Sequence, residues 1–323
     1  QLCQIPDSIG ADFTKISTNV LIFVVKFAFI FQSPAPFDKQ AKPKRITDSF
    51  SLLLQTKGFC MRLFWEIVRR SFRRQMTYRA ATVAGLITNF GFGWLRVSVL
   101  LALYNGRPVV EGITQTDLYA YVALTQAVIT YLALFGWFEL MESVHTGEVG
   151  ADLLKPMSYF QFWLARDAGR AIVALLLRGV VIMIFFSLVF PMSYPASFAH
   201  WFWVATAVLL SWLLSFTFRF LINLAAFWSP NAKGLIGTGY IFGWFFSGFL
   251  MPLRLFPDWV QTIAYLTPFP YTLNLVVEVY LGLLQGPDLV RALLMQLVWA
   301  AGLAILGQLV LKTAVRRLVI LGG

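Results

Sequence analysis

Long apolar segments alternate with short polar stretches between about residue 83 and residue 311. Six of these segments are long enough, as helices rising about 1.5 Å per residue, to cross about 30 Å of hydrocarbon. They cover residues 83–104, 118–140, 168–190, 202–228, 235–251 and 289–311. The pattern therefore predicts an all-α, polytopic membrane protein with six transmembrane helices.

An amphipathic segment, MRLFWEIVRRSFRRQMTYR, begins at Met61 and precedes the first span. Leu63, Ile67 and Val68 recur at helical spacing against a set of arginines. A basic amphipathic helix of this kind lies along a membrane surface, with its arginines among the lipid headgroups. We expect an interface helix that carries Trp65, Arg69, Arg70, Arg73 and Arg74.

The composition agrees with a membrane protein. Hydrophobic residues make up 59% of the 323 and charged residues 13%, which is more apolar surface than one soluble core hides. The net charge of +11 comes from basic clusters beside apolar spans, which anionic lipid and the positive-inside bias explain more simply than nucleic acid. We therefore predict membrane lipid as a partner and no nucleic acid.

The first sixty residues differ from the rest of the chain. All eight methionines lie at or after residue 61, and the segment combines a Lys-interrupted apolar run at 20–31 with a basic tail at 39–45. No charged region precedes the run and no small-residue cleavage site follows it, so a signal peptide does not fit. We expect translation to start at Met61, residues 1–60 to be an atypical, poorly ordered extension, and residues 61–323 to form the membrane domain.

Basic residues predict the orientation of the spans. The interface helix, the 141–167 loop, the 229–234 turn and the tail share one side of the membrane. Outside the interface helix, the basic residues of this side include Lys155, Arg166, Lys233, Lys312, Arg316 and Arg317. The opposite loops hold only Arg107 and Arg254. Both termini of residues 61–323 are therefore expected in the cytoplasm.

Residues 147–163 form a short polar and amphipathic island between two apolar segments. Glu148 and Asp152 are four residues apart and share a helical face, whereas Leu153 and Leu154 fall on another, before Pro156 ends the helix. One interpretation is a docking handle for a soluble partner, and the plainer one is a cytoplasmic loop with a turn of helix. The candidate residues of the handle are Glu148, Asp152, Leu153, Leu154, Lys155 and Pro156.

Residues 248–287 are too apolar for a free loop and too interrupted by proline for one straight span. Short re-entrant helices before the last span suit this pattern, since irregular backbone at that depth needs protein or a water-filled cavity around it. A lid over a transport pathway and loose surface helices are equally compatible. The candidate residues of this outer gate are Gly248, Pro252, Phe256, Pro257, Pro268, Tyr280 and Gly282.

Three arginines, Arg96, Arg178 and Arg219, lie within predicted spans. A lipid-facing arginine there costs roughly 2.5–3.5 kcal/mol on insertion scales, so these side chains should turn inward or snorkel. We expect at least one to line a polar cavity or bind a phosphate-bearing group, and the others to be structural. Glu139 and Glu142 are candidate partners for them.

The sequence contains no recognisable catalytic constellation. His145 and His200 are predicted on opposite sides of the membrane, so they form neither a metal pair nor a nucleophile–base couple. There is no GxxxxGK[ST] loop for nucleotide phosphates, and Lys233 in Asn-Ala-Lys-Gly lacks the required strand and spacing. We therefore expect neither an enzyme nor a metal or cofactor site in this chain.

With these features together, residues 61–323 resemble an export permease of the type-2 ATP-binding-cassette superfamily, in the branch of formerly unknown function beside the daunorubicin and viologen exporters. The spacing of Glu148 and Asp152 departs from that pattern, because relatives usually bring the two acids closer. The resemblance rests on the Arg-rich start at Met61, Gly147-Glu148, Asp152 to Pro156, Phe227-Trp228, Asn231-Ala232, SGFLMPLRLFPDWVQTIAYLTPF and Tyr280-Leu281-Gly282.

The resemblance implies a division of labour. Separate ATPase subunits bind ATP and Mg and push on a coupling helix at Glu148 to Pro156, with Trp65 to Arg74 as the interface helix and Gly248 to Gly282 as the outer gate. Two permease chains, identical or paired with a sibling, assemble in the plasma membrane, which is the inner membrane of a two-membrane cell. The expected activity is efflux of an amphipathic small molecule or lipid.

Two other function classes remain open on the residues alone. An ion-coupled secondary transporter places ionisable groups at mid-membrane and often shows inverted repeats, whereas the interior charges here are mainly arginines and no repeat is visible. A membrane-embedded lipid-modifying enzyme needs clustered acids or histidines, for which the acids between 139 and 152 are the only candidates. Neither class accounts for the chain as economically as a permease.

Overall fold

The computed structural model describes residues 46–77, 79–104 and 106–317. In this part the regular elements are helices, apart from one hairpin of strands β1 (Val109–Val110) and β2 (Ile113–Thr114), in which Val110 pairs with Ile113. The helices are α1 (Ile46–Thr77), α2 (Arg79–Tyr104), α3 (Gln115–Leu132), α4 (Glu139–His145), α5 (Val149–Leu153), α6 (Tyr159–Ala174), α7 (Val180–Val189), α8 (Phe198–Asn223), α9 (Ala232–Phe246), α10 (Asp258–Tyr265), α11 (Asn274–Tyr280) and α12 (Gly286–Val315).

Four of the predicted spans are confirmed as helices long and apolar enough to cross a membrane. A π-helical turn, Leu175–Gly179, joins α6 to α7 into one of these helices, and a 3-10 turn, Leu224–Phe227, extends α8. The four are Thr82–Tyr104, Tyr159–Val189, Phe198–Phe227 and Gly286–Val315. The predicted spans 118–140 and 235–251 coincide with the shorter helices α3, of 18 residues, and α9, of 15, so a six-span arrangement stays a prediction.

Helix α3 occupies the centre of the bundle. Thr114 caps its start, since the Thr114 hydroxyl accepts a bond from Asp117 N at 3.1 Å and the Asp117 carboxylate accepts one from Thr114 N at 3.0 Å. Every residue from Ala120 to Leu132 is buried. The helix then ends because Ala133 takes a left-handed conformation, with φ of 53°. The prediction of a continuous span to residue 140 is therefore wrong beyond Leu132.

The irregular segment between α3 and α4 obtains its hydrogen bonds from side chains of neighbouring helices. The Tyr240 hydroxyl accepts from Trp137 N at 3.0 Å and donates to Trp137 O at 3.1 Å. The Asn223 amide also donates to Trp137 O, at 3.0 Å, and the Trp244 indole donates to Leu134 O at 2.6 Å. Protein therefore covers this irregular backbone, as a position inside a membrane bundle requires.

Two helix boundaries differ from the predicted ones. The third span begins at Tyr159 and not at residue 168, because Ser158 and Gln161 form a capping box, with Gln161 N donating to the Ser158 hydroxyl at 3.2 Å. Helix α1 begins at Ile46, upstream of Met61. The prediction of a separate segment over residues 1–60 falls mostly outside the described residues and stays a prediction.

Candidate functional site

Helix α1 packs against α6 at very short range. A Cβ atom built on Gly169 would collide with the carbonyl oxygen of Val68 and lie 2.7 Å from Ser71 Cβ. The Ser71 hydroxyl donates to Arg166 O at 2.6 Å, and Val68 is buried at this contact. The glycine therefore lets two helix backbones touch, which fixes the position of α1.

The opposite face of α1 is exposed, as its amphipathic pattern predicts. Trp65 is 56% exposed, and the four arginines predicted beside it, Arg69, Arg70, Arg73 and Arg74, are exposed as well. Arg70 Nε donates to Glu66 Oε1 at 3.0 Å, and this hydrogen bond lowers the pKa of Glu66. Contact of this face with lipid headgroups remains a prediction.

The two acids of the predicted handle lie in different surroundings. Glu148 is exposed, whereas Asp152 is only 7% exposed and accepts bonds from the Ser143 hydroxyl at 3.0 Å and from Lys155 Nζ at 2.5 Å. The expectation that the two carboxylates form one docking face is therefore wrong, because α5 has only five residues and Asp152 turns back toward α4. Leu154 is 87% exposed.

Lys155 and Pro156 complete the end of the handle. Lys155 Nζ lies 3.6 Å from the ring centroid of Phe162, a cation–π contact that fixes the lysine to the start of α6. The last residue of α5, Leu153, is half-buried. Pro156 lies beyond the end of this helix and is exposed. The handle is thus braced from within by Asp152 and Lys155 and presents Glu148 and Leu154 outward.

A cleft of about 760 Å³ separates α1 from the handle and from the first turns of α6. We name it the α1–α5 cleft. Arg70 and Arg74 line it on one side, and Glu148, Lys155 and Arg166 on the other. Arg166 Nη2 donates to Glu139 Oε2 at 2.7 Å, so Glu139 pairs with Arg166 and not with one of the three arginines expected in the spans.

Asp167, which is not among the predicted site residues, is 1% exposed and is one of the two most deeply buried charged residues of the described part, with Arg219. Its carboxylate accepts bonds from Arg219 Nη1 at 2.9 Å and Nη2 at 2.8 Å, from Arg170 Nε at 2.8 Å and from Trp212 Nε1 at 2.8 Å. The predicted span boundary at 168 had placed this residue in a loop. The sequence does carry one signal for this group. Asp167, which follows Arg166, lies one helical turn before Arg170, so Asp167 and Arg170 share a helical face.

Arg219 therefore has a structural partner, and among the described residues it lines neither the α1–α5 cleft nor the second cavity described below. Its guanidinium is 1% exposed and is held by Asp167 and, at 3.3 Å, by the Ser215 hydroxyl. Arg96 bridges three parts of the chain, since it donates to the Thr125 hydroxyl at 2.8 Å and to the carbonyl oxygens of Phe249 and Leu250. Its guanidinium carbon also lies 4.8 Å from the Phe249 ring centroid.

Arg178 lines a second cavity, of about 410 Å³, between α3 and α6. We name it the α3–α6 cavity. It adjoins the α1–α5 cleft, because Trp137, Glu139, Glu142 and Arg170 line both. Arg178 is thus the one of the three intramembrane arginines that lines this cavity, and a binding role for it stays a prediction.

The outer-gate segment is fastened to the bundle at several points. The Tyr121 hydroxyl donates to Gly248 O, Asn274 N donates to Ser247 O at 3.0 Å, and His200 Nε2 lies 2.6 Å from Val279 O. Residues 271–280 are all buried, so this half is not a loose surface helix. Gly248 and Gly282 have φ of 78° and 70°, which explains why glycine occupies both ends of the segment.

The remaining predicted gate residues lie at element boundaries or in the core. Pro252 precedes the 3-10 turn Leu253–Leu255, and Pro257 precedes α10. Phe256 packs edge-on against Phe245 with ring centroids 5.7 Å apart, Pro268 is half-buried, and Tyr280 is 2% exposed. A gating role for these residues stays a prediction.

Comparison with known proteins identifies the family. No curated protein sequence matches the chain. A family model described as ABC-2 family transporter protein matches residues 93–322, which is more than half of the chain. This range contains three of the four spanning helices in full, the handle and the outer-gate segment. The chain therefore belongs to the ABC-2 family of transporter membrane proteins.

Proposed function

We propose that this chain is the permease of an ATP-driven exporter whose ATPase subunits are separate chains that bind ATP and Mg. The observation that carries the proposal is the family match over residues 93–322. Four helices able to cross a membrane supply the transport scaffold, and α3 and α9 complete six spans in this proposal. The cargo class is an amphipathic small molecule or lipid that leaves the cytoplasm across the plasma membrane, with both ends of residues 61–323 on the cytoplasmic side.

The proposed contact with the ATPase is the outward surface of the handle. Glu148 and Leu154 are exposed there, on a loop that Asp152 and Lys155 hold together. An exposed leucine beside an exposed carboxylate on a braced loop suits a protein partner, because the apolar group gains from burial and the acid selects basic residues opposite. Force on this loop reaches the bundle through α6, which begins at Tyr159 and continues through the π-helical turn and α7 to Val189.

A second copy of the permease, identical or related, completes the proposed transporter. The outer-gate segment then closes the pathway on the far side from the ATPase. Its attachment to Tyr121 and His200 supports this role, since these residues belong to the central helix α3 and to α8. A movement of either helix would reach the segment through these bonds.

The charges inside the bundle favour a permease over the two alternatives. The buried carboxylate Asp167 is held by two arginines and an indole, and the buried Glu278 pairs with Arg254, so both are poorly suited to exchange protons as a secondary transporter requires. Two of the acids of the handle region are also engaged, Glu139 with Arg166 and Asp152 with Lys155. They do not form the open pair of acids that a lipid-modifying enzyme needs.

Co-purification from native membranes tests the proposal. An ATPase subunit should accompany the wild-type chain, and the double change Glu148→Lys with Leu154→Asp should release it, because both residues are exposed and neither supports the fold. The matched control is Glu111→Lys with Leu266→Asp, which makes the same changes at exposed positions away from the handle. If no ATPase subunit accompanies the wild-type chain, the permease proposal fails.

A further inference from the structure

Arg178 is a cation without a partner inside a spanning helix. Among the described residues it makes no hydrogen bond or ion pair, and its Nε atom is buried and unpartnered. It lies in the π-helical turn Leu175–Gly179, roughly 28 Å along the helix from Tyr159. Arg178 lines the α3–α6 cavity, and its Nη1 lies close to Gly85 of the neighbouring helix α2.

The charges of the cavity lining and its immediate neighbours leave a positive excess around Arg178. Arg170 and Arg219 share the single carboxylate of Asp167, so that group carries a net charge of +1. Glu139 is neutralised by Arg166. The other acid of the lining, Glu142, is exposed and has no bond to Arg178. The surroundings of Arg178 are therefore complementary to an anion.

The remaining lining is mixed, with polar side chains at Gln75, Thr82 and Thr130 and an apolar wall. Phe135, Val173 and Leu177 face the cavity beside Arg178, and the volume of about 410 Å³ falls in the range of small-molecule pockets. A guanidinium with free donors recognises phosphate through two parallel N–H···O bonds, and the apolar wall suits the hydrocarbon next to it. The combination favours a ligand with an acidic head and an apolar body.

We propose that the α3–α6 cavity binds the phosphate group of an anionic amphiphile, with Arg178 as the principal contact and Arg170 flanking it. The ligand is either a lipid of the surrounding bilayer or the transported cargo, since the two share this chemistry. The proposal concerns binding by the chain itself and goes beyond the proposed export function, because it requires no ATPase.

The test uses the purified full-length chain in an uncharged maltoside detergent, titrated with dodecyl phosphate and followed by tryptophan fluorescence, since Trp137 lines the cavity. We expect saturable binding whose affinity falls at least about tenfold in Arg178→Gln. Arg178→Lys should weaken it less, because lysine keeps the positive charge but lacks the paired N–H donors of the guanidinium. Arg107→Gln removes an exposed arginine elsewhere and should bind as the wild type does. Dodecyl phosphocholine, whose headgroup is zwitterionic, should bind more weakly to the wild type.

Equal affinity of wild type and Arg178→Gln for dodecyl phosphate overturns the proposal, and so does equal binding of the zwitterionic probe. Thermal unfolding checks that Arg178→Gln folds, and Arg178→Lys provides the comparison if it does not. Mass spectrometry of the chain with its ATPase in vesicles then identifies the source: a bound phosphate amphiphile that ATP depletes is cargo, and one that ATP leaves in place is a resident lipid. Because the titration omits the ATPase, its failure leaves the co-purification result untouched.

Discussion

Asp167 of α6 and Arg219 of α8 form a two-point ion pair inside the bundle, with N–O distances of 2.9 and 2.8 Å. Each carboxylate oxygen accepts one further bond, from Arg170 or from Trp212. Arg170 also donates to Tyr131 O at 2.7 Å, which brings α3 into the same network. Three helices are therefore held together by one buried carboxylate.

Asp167→Asn should destabilise the fold strongly. The change leaves Arg219 and Arg170 buried without their counter-charge, and breaking a buried pair in this way costs about 3–5 kcal/mol of the free energy of unfolding. Thermal or denaturant unfolding in detergent micelles measures the loss. Glu111→Gln removes an exposed carboxylate and serves as the control. Similar stabilities for the two variants would contradict the structural role of the network.

Gly169→Ala should push α1 away from α6. The new methyl group would collide with the Val68 carbonyl and lie 2.9 Å from Phe72 N, which are backbone atoms that cannot yield without moving the helix. Overpacking of this kind costs about 1–3 kcal/mol. Protease sensitivity of α1 and the midpoint of thermal unfolding report the change.

Gly302→Ala is the matched control for this variant. Gly302 also lies within a helix, α12, and a Cβ atom there meets nothing within 4 Å. The replacement should be neutral, or stabilising by roughly 0.5–1 kcal/mol because alanine favours the helix. A Gly169→Ala protein as stable and as protease-resistant as this control would show that the close helix contact is not needed.

Gly248→Ala should loosen the outer-gate segment. Its φ of 78° is strained for alanine, and the added Cβ would lie 2.9 Å from Asn274 Oδ1, the atom that accepts from Leu253 N. Gly286→Ala provides the comparison, since its φ is 54° but the Cβ has open space. The backbone strain of about 1–2 kcal/mol is common to both variants. Only Gly248→Ala should therefore lose more than this amount of the free energy of unfolding.

Hydrogen exchange over residues 248–282 distinguishes local loosening from global loss of stability in this pair. We expect faster exchange of the segment in Gly248→Ala and unchanged exchange there in Gly286→Ala. Equal exchange rates in the two variants would mean that the contact between Gly248 and Asn274 does not hold the segment.

Local pattern was sufficient for several features. The apolar runs predicted six spanning helices, of which four are confirmed, and the spacing of Val68 against Arg69 and Arg73 predicted which side of α1 is buried. The broken apolar stretch after Gly248 predicted short helices in place of one span, and α10 and α11 confirm that they are short. These features depend on residues close together in sequence.

The candidate site residues were harder to place, because their surroundings come from distant parts of the chain. Glu148 and Asp152 have the same spacing as any two acids one helical turn apart, and only Ser143 and Lys155 decide that the second turns inward. In the same way Arg178 and Arg219 are alike in sequence, each a single arginine in an apolar run. Arg178 lines a cavity, whereas Arg219 pairs with Asp167.

The sequence by itself determined that this is an α-helical membrane protein with a basic amphipathic helix, since hydrophobic length and periodicity are properties of single segments. It also carried the family pattern that a comparison over residues 93–322 confirms. Only the tertiary structure decided which charges are paired, because a buried ion pair such as Asp167 with Arg219 joins residues 52 positions apart. Their partnership depends on how α6 and α8 pack, and no local pattern encodes that contact.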